Sequence, residues 1–182
     1  MSQDLPHLIW VDCEMTGLDI NSDALVEIAV LVTDAQLNVL GEGVDLVIKC
    51  EQGKLDGMDD FVKNMHTSSG LITAIPNGTT LAAADDAIIT YLKKYAPSEG
   101  KSPLAGNSVY VDRAFIARDL PKLNAYLHYR TIDVSTIKEL ARRWHPKTYF
   151  AAPAKDGNHR ALGDIRDSIA ELDYYRSAIF LP

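Results

Sequence analysis

The stretch that decides the fold of this chain is Leu8–Leu18, with the sequence LIWVDCEMTGL. It begins with four apolar or aromatic residues, which is typical of a buried strand, and continues into two carboxylates, Asp12 and Glu14. Because successive side chains of a strand alternate between its faces, both carboxylates point the same way. Two like charges beside an apolar strand repel each other and lose hydration unless a cation lies between them. The stretch therefore predicts a strand that ends in a metal site.

The Asp-x-Glu pattern can also arise by chance. At an average usage of about 6% for each acidic residue, this triplet occurs about once in 270 positions. It occurs once in this chain, at the end of the apolar run and just before Thr16-Gly17. The position of the pair favours a metal site, while two ordinary solvated carboxylates stay an open alternative.

The length of the chain predicts a single domain, and its net charge disfavours long nucleic acid as a ligand. A chain of 182 residues is enough for one domain that buries roughly 70% of its unfolded surface, so we expect one domain over residues 1–182. The formal net charge of −7 argues against a protein that binds long nucleic acid, because such binding depends on an excess of lysine and arginine. A small anionic substrate held by metal ions is compatible with this charge.

Cysteine usage and the N-terminal segment indicate the compartment. Cys13 and Cys50 fit neither the spacing of a zinc site nor a secreted disulfide framework. The first ten residues, MSQDLPHLIW, lack the basic segment and the long apolar core of a secretory signal. No apolar run approaches the ~20 residues of a membrane helix. We expect a reduced, soluble, cytoplasmic protein without a membrane partner.

Apolar periodicity predicts an α/β fold. Runs over Leu25–Val32 and Val39–Val47 follow the first strand after short turns, which indicates a three-strand antiparallel meander. After Met58 the apolar spacing becomes helical, and short strands within Ser102–Asn107 and Tyr129–Asp133 alternate with helices. This order predicts a mixed sheet flanked by helices, with sites at the strand ends and in the following loops.

Proline positions bound the predicted helices in the second half of the chain. A helix over Val109–Leu120 is expected to stop at Pro121, and a helix from Ser135 is expected to end at Pro146. A loop over Lys147–Asn158 then leads into the last helix, whose apolar stripe consists of Leu162, Ile165, Ile169 and Leu172.

Further candidate ligands stand on two of these helices. Asp112 lies in the first turns of one helix, and Asp164 follows His159 by five positions at the start of the last, where Asn158 can cap. A divalent metal pair needs carboxylates that converge from different elements. Each residue alone also has an ordinary explanation. Asp112 can interact with the helix dipole, Asp164 can be a solvated helix carboxylate, and His159 can be an exposed loop histidine.

The joint order and spacing of these residues resemble the DEDDh branch of 3′-to-5′ exonucleases. That branch has Asp-x-Glu at the end of its first strand, a middle Asp, and His-x-x-x-x-Asp on its last helix. Three longer strings resemble the oligoribonuclease family within it: VDCEMTGL (11–18), AGNSVYVDRAF (105–115) and HYRTIDVSTIKELARRW (128–144). The resemblance spans nearly the whole chain.

The resemblance implies a fold, a reaction and a set of catalytic residues. It implies a ribonuclease H-like fold, a homodimer, and hydrolysis of very short RNAs, ending with dinucleotides, to 5′-mononucleotides. It also implies two divalent metal ions, Mg²⁺ or Mn²⁺, with His159 as the general base. The implied metal ligands are Asp12, Glu14, Asp112 and Asp164.

The resemblance also implies substrate contacts. Leu18 corresponds to an apolar wedge between the two bases, His66 to a residue near the 3′ nucleotide, and Tyr129 to a residue contributed across the dimer. The implied cap around the 5′ phosphate consists of Ser108, Arg130, Ser135 and Thr136. From the sequence alone, the serine and threonine at 135–136 are ordinary helix N-cap residues, the arginine a surface ion-pair partner, and the leucine a lone surface residue.

Three residues depart from the family pattern, and two other functions stay open. Phe61 stands where Trp is common, Val111 where Gln is common, and Gly163 where a second acid is frequent; none of them removes a metal ligand or the base.

One alternative function is that of a proofreading exonuclease, which would prefer long single strands of DNA. A nucleotide-binding or scaffolding domain would keep the fold without catalysis, and the presence of all four acids and the histidine disfavours it.

Overall fold

The computed structural model describes residues 5–153 and 160–180. A five-stranded sheet with the strand order β3-β2-β1-β4-β5 forms its centre. β1 pairs with β2, and β2 with β3, in antiparallel orientation, whereas β1–β4 and β4–β5 are parallel pairs. The predicted mixed sheet with a three-strand meander is therefore confirmed. The strands are β1 (Leu8–Met15), β2 (Leu25–Thr33), β3 (Val39–Val47), β4 (Leu104–Gly106) and β5 (Thr131–Asp133).

Helices cover both faces of the sheet. In the described part of the chain, none of them is long and apolar enough to cross a membrane. The helices are α1 (Gln52–Asp56), α2 (Asp60–Ser68), α3 (Leu71–Ala74), α4 (Leu81–Tyr95), α5 (Tyr110–Asp119), α6 (Pro121–Tyr126), α7 (Val134–Trp144), α8 (Pro146–Phe150) and α9 (Ala161–Ile179), with a 3₁₀ turn at Ile75–Asn77.

Side chains of β1 alternate between two hydrophobic cores. Ile9 and Val11 pack with residues of α4, α5 and α6 on one face of the sheet. Trp10 points to the other face, where it packs with α9 and the start of α7. Asp12 and Glu14 continue the series of Trp10, because residues two apart on a strand share a face. Both carboxylates therefore point toward the face that α9 covers.

Two boundary predictions are wrong. The segment Lys147–Phe150, predicted as the beginning of a loop, belongs to α8, because Pro146 starts this new helix and does not only end the preceding one. Proline suits the first helical position, since its fixed φ is helical and its missing N–H has no partner there. The last predicted strand begins at Thr131, two residues later than expected. The predicted cap Asn158 and the predicted base His159 lie outside the described residues.

Candidate metal centre and substrate-binding residues

Three carboxylates converge where β1 ends against α9. Asp12, Glu14 and Asp164 each offer one oxygen, and these three oxygens lie within 4.8 Å of one another. Asp164 reaches this point because it lies in the first turn of α9, next to Ile165, which packs in the same core as Trp10. Carboxylate oxygens are the ligands that Mg²⁺ and Mn²⁺ prefer. These three residues, called the acidic cluster below, fit a divalent ion.

Asp112 lies beside the acidic cluster, although it is not one of the three converging ligands. Its Oδ1 accepts a hydrogen bond from the backbone N–H of Cys13 at 2.8 Å, between Asp12 and Glu14 in the sequence of β1. The side chain is buried in the first turn of α5, and this burial raises the pKa of Asp112 to about 6. A fourth carboxylate is thus anchored to the strand that carries the first two.

The electrostatics of the site favour a cation. Burial, together with the negative charges of Glu27, Asp164 and Asp112, raises the pKa of Glu14 to about 8, although the charge of Arg160 acts in the opposite direction. At Glu14, burial and the repulsion from neighbouring carboxylates therefore outweigh the attraction of Arg160. A bound divalent ion reverses this repulsion and lets the carboxylates ionise together.

A buried ion pair, which the sequence analysis did not identify, fixes the start of α9. Glu27 of β2 is fully buried and lies opposite Glu14 in the antiparallel pairing. Its Oε1 accepts hydrogen bonds from Nε of Arg160 at 2.8 Å and from Nη2 at 2.5 Å. Its Oε2 accepts from the N–H of Ala161, the first residue of α9, at 3.4 Å. The sequence feature that could have indicated this ion pair is Glu27 itself, the single charge in the otherwise apolar run Leu25–Val32.

His66 is fully buried behind Glu14. Its Nε2 lies 2.8 Å from the carbonyl oxygen of Met15, and because a carbonyl only accepts, this nitrogen is the donor. Its Nδ1 has no hydrogen-bond partner among the described residues and lies 3.9 Å from Oε2 of Glu14. The imidazole therefore supports the end of β1 from within the protein.

A tight turn after β1 presents Leu18 to solvent, with 73% of the residue exposed. The carboxylate of Asp23 holds this turn, because it accepts hydrogen bonds from the Thr16 hydroxyl and from the N–H of Asp19, both at 2.9 Å. Gly17 fits closely over the same carboxylate, where an added Cβ would lie 2.5 Å from Oδ2 of Asp23. The leucine is thus fixed in an outward position a few residues from the acidic cluster.

Two predicted phosphate-binding hydroxyls meet where β4 and β5 end. Ser108 Oγ donates to Ser135 Oγ at 3.1 Å. The backbone N–H groups of both serines donate to Oδ1 of Asp133, at 3.1 Å and 2.9 Å. Thr136 follows in the first turn of α7 and is exposed. Ser108 and Ser135, called the hydroxyl pair below, are therefore held together by one carboxylate.

Tyr129 and Arg130 lie at the other end of β5. Tyr129 is 76% exposed, and the guanidinium carbon of Arg130 lies 5.4 Å from the centre of its ring. Both residues precede β5, whereas Ser135 follows it, and a strand of three residues is about 10 Å long. Among the described residues, Arg130 makes no hydrogen bond to either serine of the hydroxyl pair.

The acidic cluster lies at the end of β1, the central strand of the sheet, and comparison with known proteins identifies the class of protein to which the chain belongs. Residues 9–172 match the family model described as Exonuclease, RNase_T. A solved structure of Exonuclease I in its apo form superimposes with a TM-score of 0.70 over 95% of this chain and 42% of that chain, at 16% identity. Exonuclease I of Methylocaldum szegediense gives 0.67 over 96% and 41%, at 22% identity. The fold is therefore the ribonuclease H-like fold of exonucleases.

Sequence comparison narrows the class. The chain is 57% identical to the oligoribonuclease of Streptomyces griseus, over 97% of this chain and 88% of that protein. It is 54% identical to the oligoribonuclease of Mycobacterium tuberculosis, over 97% of this chain and 82% of that protein. The chain belongs to the oligoribonuclease family and is a hydrolytic exoribonuclease.

Proposed function

We propose that this chain hydrolyses very short RNAs, dinucleotides above all, from the 3′ end to 5′-mononucleotides. The observation that carries this proposal is the convergence of Asp12, Glu14 and Asp164, with Asp112 beside them, in a chain that is 57% identical to an oligoribonuclease. Such a group of carboxylates suits phosphodiester hydrolysis, in which negative charge grows on the phosphate and on the leaving oxygen.

The four carboxylates would hold two divalent ions, Mg²⁺ or Mn²⁺, which supply electrophilic stabilisation of the developing negative charge when bound. His159 would accept the proton of the attacking water, because an imidazole with an unperturbed pKa of about 6.5 is partly unprotonated near neutral pH. Asp112 keeps its carboxylate against β1 through the N–H of Cys13, and His66 supports Glu14 from behind. These contacts orient the ligands before substrate binds.

Length selection would be steric. Leu18 would separate the two bases, because it is fixed outward on the turn that follows the acidic cluster. The hydroxyl pair, Thr136 and Arg130 would bind the 5′ phosphate and close the groove where a longer strand would continue. The first turn of α7 supports this role, because helix N-termini attract anions. We keep His66 as a residue near the 3′ nucleotide that acts from its buried position.

A second copy of the chain would complete the site. Tyr129 and Arg130 precede β5 and Ser135 follows it, and a second chain would bring Tyr129 to the site of the first. Tyr129 and Arg130 lie next to an exposed apolar face with a cavity of about 580 Å³, lined in part by Leu5 and Phe180. Phe180 also lines a neighbouring cavity of about 190 Å³ beside Trp144. We propose that this face forms the homodimer interface.

We further propose that residues 1–182 act as one domain in the cytoplasm. One family model matches residues 9–172. The thiols of Cys13 and Cys50 are both free, and burial raises the pKa of each. Protonated thiols react slowly with oxidants, and both features suit a reducing compartment.

The direct test is incubation of the protein with a 5′-phosphorylated diribonucleotide and Mg²⁺. Chromatography should detect 5′-mononucleotides, and absence of product would contradict the proposal. A long single-stranded DNA offered in parallel separates the proofreading alternative, which predicts that the DNA is the better substrate.

The metal assignment is tested by Asp12→Ala. This variant loses one ligand of the acidic cluster, so turnover should fall to background. The heat of Mn²⁺ binding measured by calorimetric titration should also decrease. Full activity of the variant would overturn the assignment. Absence of divalent-metal binding by the unchanged protein would instead support the non-catalytic scaffolding alternative.

A further inference from the structure

Asn107 lies where three elements of the site meet. It directly follows β4 and precedes Ser108. Its Oδ1 accepts a hydrogen bond from Ser135 Oγ of α7 at 2.9 Å. Its Nδ2 donates to two residues of α9, Ser168 Oγ at 2.8 Å and Glu171 Oε2 at 3.2 Å. One amide group thus connects β4, α7 and α9.

An ion pair fixes which way this amide points. Glu171 is buried, and its Oε1 lies 3.1 Å from Nζ of Lys138 on α7. An ionised carboxylate only accepts hydrogen bonds, so the amide of Asn107 must turn its NH₂ group toward Glu171. The amide oxygen is then directed toward Ser135, and this oxygen takes the hydroxyl proton of that serine.

The same network connects the hydroxyl pair to the acidic cluster. Ser168 Oγ, which accepts from Asn107, donates to the backbone carbonyl of Asp164 at 2.8 Å. At the other end, Ser135 Oγ accepts from Ser108 Oγ, and Ser108 has a φ of +52°, a conformation that few residues other than glycine adopt. Because the proton of Ser135 is committed to Asn107, the Ser108 hydroxyl is the one that can turn to a phosphate oxygen.

We propose that Asn107 is a positioning residue for terminal-phosphate recognition. It holds the hydroxyl pair in place and ties that pair to the helix that carries Asp164. This inference rests on the proposed function, in which the hydroxyl pair binds the 5′ phosphate of a dinucleotide.

The test is Asn107→Asp, which keeps the size of the side chain, removes both N–H donors and places a negative charge against Glu171. We expect KM for a 5′-phosphorylated diribonucleotide to rise about tenfold, the equivalent of one charge-assisted hydrogen bond. KM for the same dinucleotide with a 5′ hydroxyl should change less than about twofold. Calorimetric binding of the phosphorylated dinucleotide in EDTA should weaken by a similar factor, which gives a readout independent of turnover.

Rescue separates this role from simple packing. Asn107→Asp combined with Glu171→Gln exchanges which of the two side chains donates and which accepts. Most of the rise in KM should therefore be reversed in the double variant. Asn77→Asp, which adds the same charge at an exposed position of the 3₁₀ turn, is the matched control and should resemble the unchanged protein. If Asn107→Asp does not fold, Asn107→Ser, which loses the amide without adding charge, decides the question by the same ratio of KM values.

Different experimental results would overturn the inference about Asn107 and the proposed function. If the unchanged protein treats the two dinucleotides alike, the phosphate cap in the proposed function is overturned together with the inference. If the unchanged protein discriminates and Asn107→Asp keeps the same ratio, only the inference about Asn107 is overturned. Equal losses of kcat for both substrates without rescue would likewise overturn it, since they assign Asn107 to packing.

Discussion

At the residue scale, the proton on Glu14 links metal binding to pH. Its pKa is raised to about 8, first by burial, so the group is mostly protonated at pH 7 in the absence of metal. A divalent ion binds the ionised form and must displace this proton. We expect calorimetric titration with Mn²⁺ at pH 7, in two buffers with different ionisation enthalpies, to detect release of about one proton. Equal observed heats in both buffers would contradict this prediction.

The same raised pKa predicts how stability depends on pH. A carboxyl whose pKa is higher in the folded than in the unfolded protein stabilises the fold fully below the unfolded value of 4.5, and this contribution is lost as pH rises through about 8. The burial-raised pKa of Asp112, about 6, acts in the same direction. Without divalent ions, Tm should therefore fall between pH 5 and pH 8. Mn²⁺ should raise Tm most at the upper end of this range, and a Tm independent of pH would contradict the assignment.

We predict that Ser108 lowers the stability of the fold while its hydroxyl contributes to recognition of the 5′ phosphate. Its φ of +52° strains any residue except glycine, at about 1 kcal/mol. Ser108→Gly should leave the free energy of unfolding unchanged or raise it by up to about 1 kcal/mol, while KM for the 5′-phosphorylated dinucleotide rises. Urea unfolding and kinetics measure the two effects. Ser108→Ala is the control, since it loses the hydroxyl and keeps the strain, and a glycine variant less stable than the alanine variant would contradict the argument.

Local periodicity predicts some of these residues and misses others for a physical reason. Asp12 and Glu14 share a face because strand geometry is local, so the sequence alone places them together. The contacts of Glu27 with Arg160, and of Asn107 with Glu171, join residues 133 and 64 positions apart, and no local spacing encodes them. Their pairing depends on how α9 packs across the sheet.

At the element scale, the start of α9 depends on the ion pair between Arg160 and Glu27. Removing the arginine leaves Glu27 fully buried without its partner, near Glu14 and near Asp45, whose pKa is raised to about 6 by burial and by Glu27. Arg160→Gln should lower the free energy of unfolding by about 2–3 kcal/mol, less than for a completely enclosed pair because the guanidinium is partly exposed. Urea unfolding at pH 7 measures this loss.

The control for this prediction lies on the same helix. Arg166 is exposed, so Arg166→Gln should change the free energy of unfolding by less than about 0.5 kcal/mol. Saturating Mn²⁺ should restore part of the stability of Arg160→Gln, because the ion binds the folded state. Equal stability of the two variants would show that the ion pair does not anchor α9.

The elements themselves were largely predictable, and their exact ends were not. The meander follows from apolar runs separated by short turns, and α5 and α7 follow from helical spacing. A proline after a helix, however, is equally compatible with a loop and with the first turn of another helix. Tertiary packing decides between them, and it starts new helices at both Pro121 and Pro146.

At the scale of the whole molecule, the proposed homodimer predicts complementation. Asp12→Ala lacks an acidic ligand but keeps Tyr129, and Tyr129→Ala has the reverse defect. In a mixed dimer, the first chain would supply an intact tyrosine to the intact acidic cluster of the second. After exchange of subunits in equal amounts, activity should reach about a quarter of that of the unchanged protein, because half of the dimers carry one complete site.

Two outcomes would contradict this prediction. The mixture would be no more active than the average of the separate variants, or light scattering would find a monomer that is fully active on dinucleotides. Asp12→Ala mixed with Glu14→Gln is the matched control, because both defects fall in the same acidic cluster and no mixed dimer can contain a complete site.

The placement of Tyr129 and Ser135 at opposite ends of β5 has a consequence for the enzyme in the cell. If each site draws residues from both ends of this strand, but from two chains, a dissociated chain keeps its fold and its carboxylates and still lacks part of its substrate contacts. Turnover per chain would then fall once the protein is diluted below the dissociation constant of the dimer. The rate of dinucleotide removal would then depend more than proportionally on the expression level. At concentrations near the dissociation constant of the dimer, halving the amount of protein would lower this rate more than twofold.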